Sequence, residues 1–247
     1  MSRYFLSLQY LGTAYCGWQS QPKQPSVQQT VENALTKLLG CPTAIVGAGR
    51  TDTGVHASYY VAHFDSEKNI EDHSDDFIYH LNCILPHDIS VLGIRRVSDD
   101  AHARFDAISR RYDYYITLKK NPFVRQTTMH FSGELNIETM NQAAKLLLTT
   151  SDFTSFCKLH SDNKTNVCDV TYAHWQLRDD NILVFTIEAN RFLRNMVRAV
   201  VGTLLEVGRG KMTIEQFAEI IEKKDRCAAS SSAQPQGLFL SGIKYPY

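Results

Sequence analysis

A chain of 247 residues, 43% hydrophobic and 21% charged, is long enough for one large domain or two small ones and has an ordinary globular composition. Its formal net charge is zero, so the chain as a whole carries no electrostatic signature of nucleic-acid binding. No apolar run is long enough to span a bilayer, and the six scattered cysteines form no C-x-x-C pair. We therefore expect reduced thiols rather than a zinc site or a disulfide framework.

Charge is unevenly distributed along the chain. Residues 65–76 contain six acidic side chains and one lysine, whereas residues 101–125 contain six basic and two acidic side chains. Residues 191–211 contain five basic side chains and one glutamate. Basic charge in the second half permits a local anion-binding surface, although ordinary solvated faces would give the same pattern.

The first hundred residues predict the element order β-α-β-β-α-β, which is typical of a ferredoxin-like unit. Alternation predicts the strands and apolar periodicity predicts the helices, the first of which has the capping-box spacing Ser26 to Gln29. The predicted elements are strand 4–10, helix 27–40, strands 44–46 and 58–64, helix 77–85 and strand 89–97.

The remaining residues predict a distorted repetition of this unit, and we place the boundary between residues 1–104 and 105–247. Asn136 and Thr213 are candidate helix caps, and residues 228–237, rich in Ala, Ser and Gln, predict a mobile connection. The predicted elements are strand 112–119, helix 136–148, the hairpin 167–177 and 182–189, helix 192–207, a helix after residue 213, and strand 238–243.

Residues 47–57 (GAGRTDTGVHA) form a glycine-rich loop between two predicted strands. Asp52 in this loop is a candidate nucleophile or general base, but an aspartate that hydrogen-bonds its own turn amides would have the same local pattern. The loop lacks the spacing of a phosphate-binding P-loop. Its Asp-Thr-Gly string is also found in aspartic proteases, which need two such carboxylates, and this chain has one unless a dimer supplies the second.

Three arginines, Arg191, Arg194 and Arg198, are spaced by three and four residues, which predicts one stripe of the helix 192–207. The stripe lies near the helix N-terminus, where the macrodipole disfavours cations. A bound phosphate or an inward carboxylate such as Asp52 would explain this placement, and a solvated helix face is the alternative.

Residues 110–114 (RRYDY) interleave basic and aromatic side chains on a predicted strand. Tyrosine can stack on a nucleobase and arginine can pair with phosphate, but the residues alone slightly favour Tyr112 and Tyr114 as core residues. His56 and His63 are seven residues apart around one predicted strand, which predicts opposite faces and no shared metal.

Together these stretches resemble the TruA-type tRNA pseudouridine synthases. The resemblance rests on five motifs in family order, at residues 15–19 (YCGWQ), 49–57 (GRTDTGVHA), 110–114 (RRYDY), 192–202 (FLRNMVRAVVG) and 237–240 (GLFL). Two departures are visible, because the family usually has Ala where Thr53 stands and Asp where Leu11 stands.

The resemblance implies an α+β fold of two ferredoxin-like or RRM-like halves, whose mostly antiparallel sheets meet around a central catalytic cleft. It implies a homodimeric enzyme that isomerises uridine to pseudouridine in the anticodon stem-loop of tRNA, without cofactor or metal. The cysteine pattern predicts a cytoplasmic protein, and the lack of a long apolar run predicts that it does not span a membrane. A non-catalytic RNA-binding protein on the same sheets is the competing hypothesis.

The resemblance also assigns roles to individual residues. Asp52 matches the catalytic aspartate, Tyr112 the tyrosine that stacks on the target base, and Arg198 the arginine that pairs with the aspartate. Arg50 matches the residue that holds the flipped-out nucleotide open. The full set of expected substrate-binding residues is Arg50, Thr51, His56, Arg110, Arg111, Arg191, Arg194 and Leu238.

Overall fold

The computed structural model describes residues 1–159, 161, 163–178 and 180–247. The chain forms two compact units, one of Met1–Ile108 with Phe239–Tyr247 and one of Ser109–Leu238. Both combine helices with mostly antiparallel strands, as predicted. The division at residue 104 stays a prediction, and the last nine residues, which the sequence analysis assigned to the second half, lie with the first unit.

The first unit has the predicted order of elements. Strand β1 (Ser2–Tyr10) lies between β3 (His56–Ser66) and β4 (Ile89–Arg96) and is antiparallel to both, and the short strand β2 (Val46–Gly47) pairs antiparallel with β3. The last strand of the chain, β9 (Leu238–Lys244), runs parallel to β3, with Phe239 opposite His56. The helices of this unit are α1 (Val27–Leu39) and α2 (Ser74–Ile84).

The ends of α1 lie where local chemistry puts them. The Ser26 hydroxyl accepts the Gln29 amide N–H at 3.2 Å and satisfies one of the free donors of the first turn. Gly40 ends the helix in the left-handed conformation, with φ of 78°, which is open to glycine at no steric cost. Val31 and Leu35, four residues apart, are fully buried, so the predicted apolar stripe is the packed face.

A β-bulge in β3 overturns the expectation that His56 and His63 lie on opposite faces. Leu8 pairs with Tyr60 and Tyr10 pairs with Ala57, so three residue steps in β3 match two in β1. The extra residue resets the alternation of side chains. His56 and His63 therefore share the face opposite Tyr60, and both are buried.

In the second unit, β8 (Ile182–Ala189) lies between β5 (Ser109–Thr117) and β7 (Val170–Leu177) and is antiparallel to both. A short strand that the sequence did not predict, β6 (Met129–His130), runs parallel to the end of β5. The helices of this unit are α3 (Ile137–Lys145), α4 (Met196–Gly208) and α5 (Ile214–Lys223).

The helices of this unit confirm the predicted caps. The Asn136 side chain accepts the Thr139 amide N–H at the start of α3, and Thr213 with Gln216 forms a complete capping box at the start of α5. Within the described ranges, no helix is long and apolar enough to cross a membrane. All six cysteine thiols are free.

Candidate active site

The glycine-rich loop joins β2 to β3 in the first unit. The Ala48 amide donates to the Val61 carbonyl at 2.9 Å, and the Val55 amide donates to the Asp52 carbonyl at 3.1 Å. Asp52 thus lies in a turn closed by its own backbone, and its side chain is half-buried while Arg50 is exposed. A short carboxylate on a turn fixed at both ends is well suited to hold one position at a reacting atom.

Two glycines outside the loop allow a second segment to pack directly on it. A Cβ at Gly12 would lie 2.0 Å from the Val55 carbonyl oxygen, and one at Gly17 would lie 2.2 Å from the Thr51 carbonyl oxygen. No side chain fits at either position, because the neighbouring atoms belong to the backbone. The segment also donates the Trp18 amide to the Thr51 carbonyl at 3.3 Å. The segment from Gly12 to Trp18 therefore supports the backbone on either side of Asp52.

The rings of Tyr10, Trp18 and Tyr60 form an aromatic cluster next to this contact. The Trp18 and Tyr60 rings stack with centroids 4.1 Å apart, and the Tyr10 ring lies 5.7 Å from Tyr60. The Tyr60 hydroxyl donates to the Gly49 carbonyl at 2.6 Å, and the Tyr10 hydroxyl shares a 2.9 Å hydrogen bond with the Thr51 hydroxyl. Each ring thus packs in the core and, in the two tyrosines, fixes the loop with its polar end.

Tyr15 adds a further contact to the loop. Its carbonyl accepts the Gly54 amide N–H at 3.4 Å, and its hydroxyl donates to the Asp88 carboxylate at 2.7 Å. Burial and this hydrogen bond raise the pKa of Tyr15 well above its ordinary value. The phenol therefore stays a neutral donor across the physiological pH range.

His56 follows the loop and is fully buried. Its Nδ1 accepts the Gly12 amide N–H at 2.8 Å, so the proton of the neutral ring is on Nε2. The ring lies 4.6 Å from that of Phe239. His63, on the same face of β3, accepts the Ala103 amide through Nδ1 at 3.1 Å, and burial lowers the pKa of His63 to about 4. Each histidine thus fixes a backbone amide of a neighbouring segment.

In the second unit, the two tyrosines of β5 have different environments. Tyr114 is fully buried, and its hydroxyl donates to the Gln234 carbonyl at 2.7 Å. Burial raises the pKa of Tyr114 well above its ordinary value. Tyr112 is half-buried, and its ring meets the Phe192 ring edge-on at 5.0 Å. The core interpretation is therefore confirmed for Tyr114, whereas Tyr112 has an accessible part.

The arginine stripe is corrected by the structure. Helix α4 begins at Met196, after Asn195 in the left-handed conformation with φ of 66°. Arg191 and Arg194 precede this turn, so of the three predicted arginines only Arg198 lies on the helix. The apolar periodicity of residues 192–193 continued that of the helix and concealed the break at Asn195.

Arg198 is held by the segment that precedes β9. Its Nε donates to the Ala233 carbonyl at 2.7 Å, and the Ala233 amide donates back to the Arg198 carbonyl at 2.9 Å. The Asn195 side chain donates to the Ser232 hydroxyl at 2.6 Å. The guanidinium therefore has a fixed orientation on its helix.

The same contacts correct the predicted mobility of residues 228–237. Arg226 donates to the carbonyls of Ala229 and Ser230 and to the Ser232 hydroxyl, and the Ser230 amide donates to the Thr203 hydroxyl. A Cβ at Gly202 would lie 2.0 Å from the Ser231 carbonyl oxygen, so the segment packs on the α4 backbone. Its small residues are there for close packing rather than for flexibility.

Comparison with known proteins adds an independent observation. Residues 143–246 match the family model described as tRNA pseudouridine synthase. The tRNA pseudouridine synthase A of Bacteroides thetaiotaomicron is 52% identical over all of this chain and 91% of its own length. That of Bacteroides fragilis is 52% identical over all of this chain and 97% of its own, and that of Thermoanaerobacter sp. is 40% identical over 99% and 100%. The chain belongs to this family. It is a tRNA pseudouridine synthase, an isomerase.

The sequence-derived site residues of this synthase fall into both units. The first unit carries Arg50, Thr51, Asp52 and His56, and of these Thr51 and His56 are buried. The second unit carries Tyr112, Arg198 and five further residues. Arg111 and Arg194 are exposed, Leu238 is buried, and Arg110 and Arg191 are half-buried.

The hydrogen-bonding partners of these arginines in the second unit are partly backbone. Arg110 donates to the Asn190 carbonyl at 2.9 Å, and Arg111 lies 3.5 Å from the buried Asp113, which accepts the Thr186 hydroxyl at 2.6 Å. Tyr10, Tyr60 and Ala233, which support the site, were not predicted from the sequence. Both tyrosines fall on predicted strands, and the strand of Tyr60 follows the loop directly, but nothing in the sequence pointed to Ala233.

Proposed function

We propose that Asp52 is the catalytic residue with which this enzyme isomerises uridine to pseudouridine in the anticodon stem-loop of tRNA. The observation that supports the assignment is the packing of the Asp52 loop. Backbone contacts that only glycine permits, at Gly12 and Gly17, hold the turn on both sides of the carboxylate. A turn-forming aspartate without a chemical role would not need this support.

The reaction breaks the N-glycosidic bond of uridine, turns the uracil and rejoins it to the ribose through carbon, with no net change of oxidation state. It therefore needs no redox cofactor, and we propose that the enzyme uses neither cofactor nor metal. A base inside a helical stack cannot be reached, so the target nucleotide is flipped out, which costs a few kcal/mol. Stacking on an aromatic ring offsets part of this cost.

We assign that stacking to Tyr112, whose ring is half-buried against Phe192. We assign Arg198, as the resemblance implies, to pairing with the Asp52 carboxylate, and Arg50, which is exposed, to holding the flipped-out nucleotide open. The exposed Arg111 and Arg194 and the half-buried Arg110 and Arg191 contact the tRNA backbone. Thr51, His56 and Leu238 act from buried positions and shape the binding surface.

The proposed architecture places the aspartate loop on one unit and the tyrosine strand and arginine helix on the other, in two ferredoxin-like halves. We further propose that the enzyme is a cytoplasmic homodimer. The net charge of zero limits attraction to RNA over a single chain, and a dimer would present two sets of basic segments to one tRNA.

Replacement of Asp52 tests the assignment. Asp52→Asn keeps the size of the side chain and removes the carboxylate, so pseudouridine formation should fall at least about a thousandfold. The assay is incubation with an unmodified tRNA transcript and mapping of pseudouridine by carbodiimide-blocked primer extension. Asp72→Asn, an exposed change in the acidic segment, is the matched control and should have wild-type activity.

Binding separates catalysis from recognition in the same experiment. The affinity of Asp52→Asn for the transcript should stay close to that of the wild type, because the proposed tRNA contacts are made by other side chains. Substantial turnover by Asp52→Asn would exclude the catalytic role. Wild-type protein that binds the transcript and never modifies it would instead favour a non-catalytic RNA-binding protein.

A further inference from the structure

An exposed aromatic side chain lies in a stretch of the chain that contains basic and no acidic residues. Phe123, in the short 3-10 turn Pro122–Val124 between β5 and β6, is 95% exposed. Residues 114–133 include Lys119, Lys120 and Arg125 and no acidic residue, in a chain whose net charge is zero. Neither the motifs at residues 110–114 nor the proposed catalytic groups include this turn.

The turn is rigidly built. The Asn121 side chain accepts the Phe123 amide N–H at 3.0 Å, and Pro122 sets the backbone at the first position. The Val124 carbonyl accepts the Thr127 amide at 3.0 Å and the Thr128 hydroxyl at 2.9 Å, and Thr128 is buried. The ring of Phe123 is therefore presented to solvent by a fixed backbone.

The fold gives no packing reason for this placement. A phenylalanine left in water forgoes the stabilisation that burial of its ring would give. A preformed turn that exposes such a ring loses little conformational entropy when a partner covers it. Exposed aromatic rings flanked by Lys and Arg are the combination that single-stranded nucleic acid requires, since bases stack on the ring while phosphates meet the cations.

We propose that Phe123 is a stacking contact for an unpaired nucleotide of the tRNA substrate, with Lys120 and Arg125 on the adjoining phosphates. The proposal rests on the proposed function, because it takes tRNA as the ligand. The hairpin turn that contains Asp180 lies next to Leu118, whose amide donates to the Asn181 carbonyl, so charge near Lys119 is partly offset. Lys120 and Arg125, which flank Phe123 in sequence, therefore carry the electrostatic part.

A matched control lies in the first unit. Tyr79 on α2 is also strongly exposed, at 66%, but the first turn of its helix carries Asp75 and Asp76. RNA phosphates are repelled there, so Tyr79 should take no part in binding. Both rings lie in solvent, so replacing either with Ala should leave the thermal unfolding midpoint unchanged.

The test is the dissociation constant of the full-length protein for an unmodified tRNA transcript, measured over a range of salt concentrations. Phe123→Ala should weaken binding about tenfold, since one base–aromatic stack is lost. Phe123→Trp should bind as tightly as the wild type, and Tyr79→Ala should change nothing. Lys120→Gln and Arg125→Gln should each reduce the slope of log affinity against log salt by about one, whereas Phe123→Ala should leave the slope unchanged.

Three outcomes would overturn the proposal. Wild-type affinity in Phe123→Ala would remove the contact, and wild-type affinity in Phe123→Leu would show that the ring does not stack. A change in oligomeric state in Phe123→Ala, at unchanged affinity for tRNA, would make a second copy of the chain the partner of this ring. If the wild type itself did not bind the tRNA transcript, the proposed function would be contradicted. Failure of the proposed function is therefore distinguishable from failure of the Phe123 proposal.

Discussion

Asp52 and Arg198 are each held in place by a neighbouring segment that packs directly on the backbone at a glycine, but the surroundings of the two contacts differ. In the first unit, a segment packs its glycines Gly12 and Gly17 onto the backbone of the Asp52 loop. In the second, the segment around Ser231 packs onto helix α4 at Gly202, and a Cβ at Gly202 would lie 2.0 Å from the Ser231 carbonyl oxygen. In both places the contact is between backbones. The overlap that an added Cβ would cause therefore cannot be relieved by movement of a flexible side chain.

The surroundings differ in chemistry. The Asp52 loop lies on a buried aromatic cluster, in which Trp18 and Tyr60 are stacked and nearly fully buried. The Arg198 side chain is held by the hydrogen bond that it donates to the Ala233 carbonyl, in a segment of small residues. Displacing the aspartate therefore requires the core to repack, whereas displacing the arginine requires only that a polar segment move. We expect substitutions to be more damaging in the first unit.

Gly17→Ala should have the largest effect. Gly17 has φ of 89°, and a Cβ there would lie 2.2 Å from the Thr51 carbonyl oxygen, so strain and overlap add. We expect a loss of about 3 kcal/mol in the free energy of unfolding, measured by urea denaturation, and a loss of turnover. Gly40→Ala is the matched control, since Gly40 has φ of 78° with nothing within 4 Å of its Cβ position.

Gly40→Ala should cost only the backbone strain, about 1 kcal/mol, at unchanged turnover. Equal losses of stability in the two variants would mean that the contact with Thr51 is not what requires glycine at position 17. The loss of stability at both positions would then come from the left-handed backbone conformation alone.

Gly202→Ala should have the next largest effect, about 2 kcal/mol in the free energy of unfolding, because the Ser231 carbonyl must move away from α4. Moving this segment also moves the Ala233 carbonyl that accepts from Arg198, so turnover should fall. Gly208→Ala, on the same helix, provides the control. Its Cβ would press on the Met140 thioether, a flexible side chain, and should lower stability while turnover per folded molecule is preserved. Normal turnover in Gly202→Ala, together with a loss of turnover in Gly208→Ala, would show that α4 and the segment around Ser231 move independently of the site.

Arg198→Lys tests the hydrogen bond that the Arg198 side chain donates to the Ala233 carbonyl. Lysine keeps the charge but lacks the Nε donor and the planar fork, so we expect kcat/KM to fall about tenfold, equivalent to about 1.4 kcal/mol. Arg209→Lys, just past the end of α4, alters a partly exposed ion pair with Glu206 and a cation–π contact with Phe131, and should leave turnover unchanged. Normal kinetics in Arg198→Lys would mean that charge alone matters and that the contact with Ala233 is incidental.

Local chemistry was sufficient to locate most elements from the sequence. Ser26 and Gly40 bound α1, and Asn136 and Thr213 cap α3 and α5, because a cap acts within one turn of its own residue. The Asp52 loop was located in the same way, by glycines between two strand patterns. Its role was indicated by the resemblance and not by the loop alone.

The features that sequence reasoning missed depend on contacts between distant residues. The bulge in β3 arises from pairing with β1, and the order in residues 228–237 arises from contacts with Gly202 and Arg198. Composition predicted mobility there because small polar residues also form linkers. The start of α4 was misplaced because periodicity does not register a single left-handed residue such as Asn195.

The smallest effects should come from two threonines that flank the aspartate, and they test how far the first support extends. Thr51 is buried and shares a hydrogen bond with the Tyr10 hydroxyl, so Thr51→Val should cost about 1 kcal/mol of stability. Thr53 is exposed, and Thr53→Ala should change stability by less than about 0.5 kcal/mol and leave turnover unchanged. Urea denaturation and single-turnover rates on one tRNA transcript measure both. A clear fall in rate for Thr53→Ala at wild-type stability would place that hydroxyl at the substrate, and the support would then end at Asp52 rather than include the whole turn.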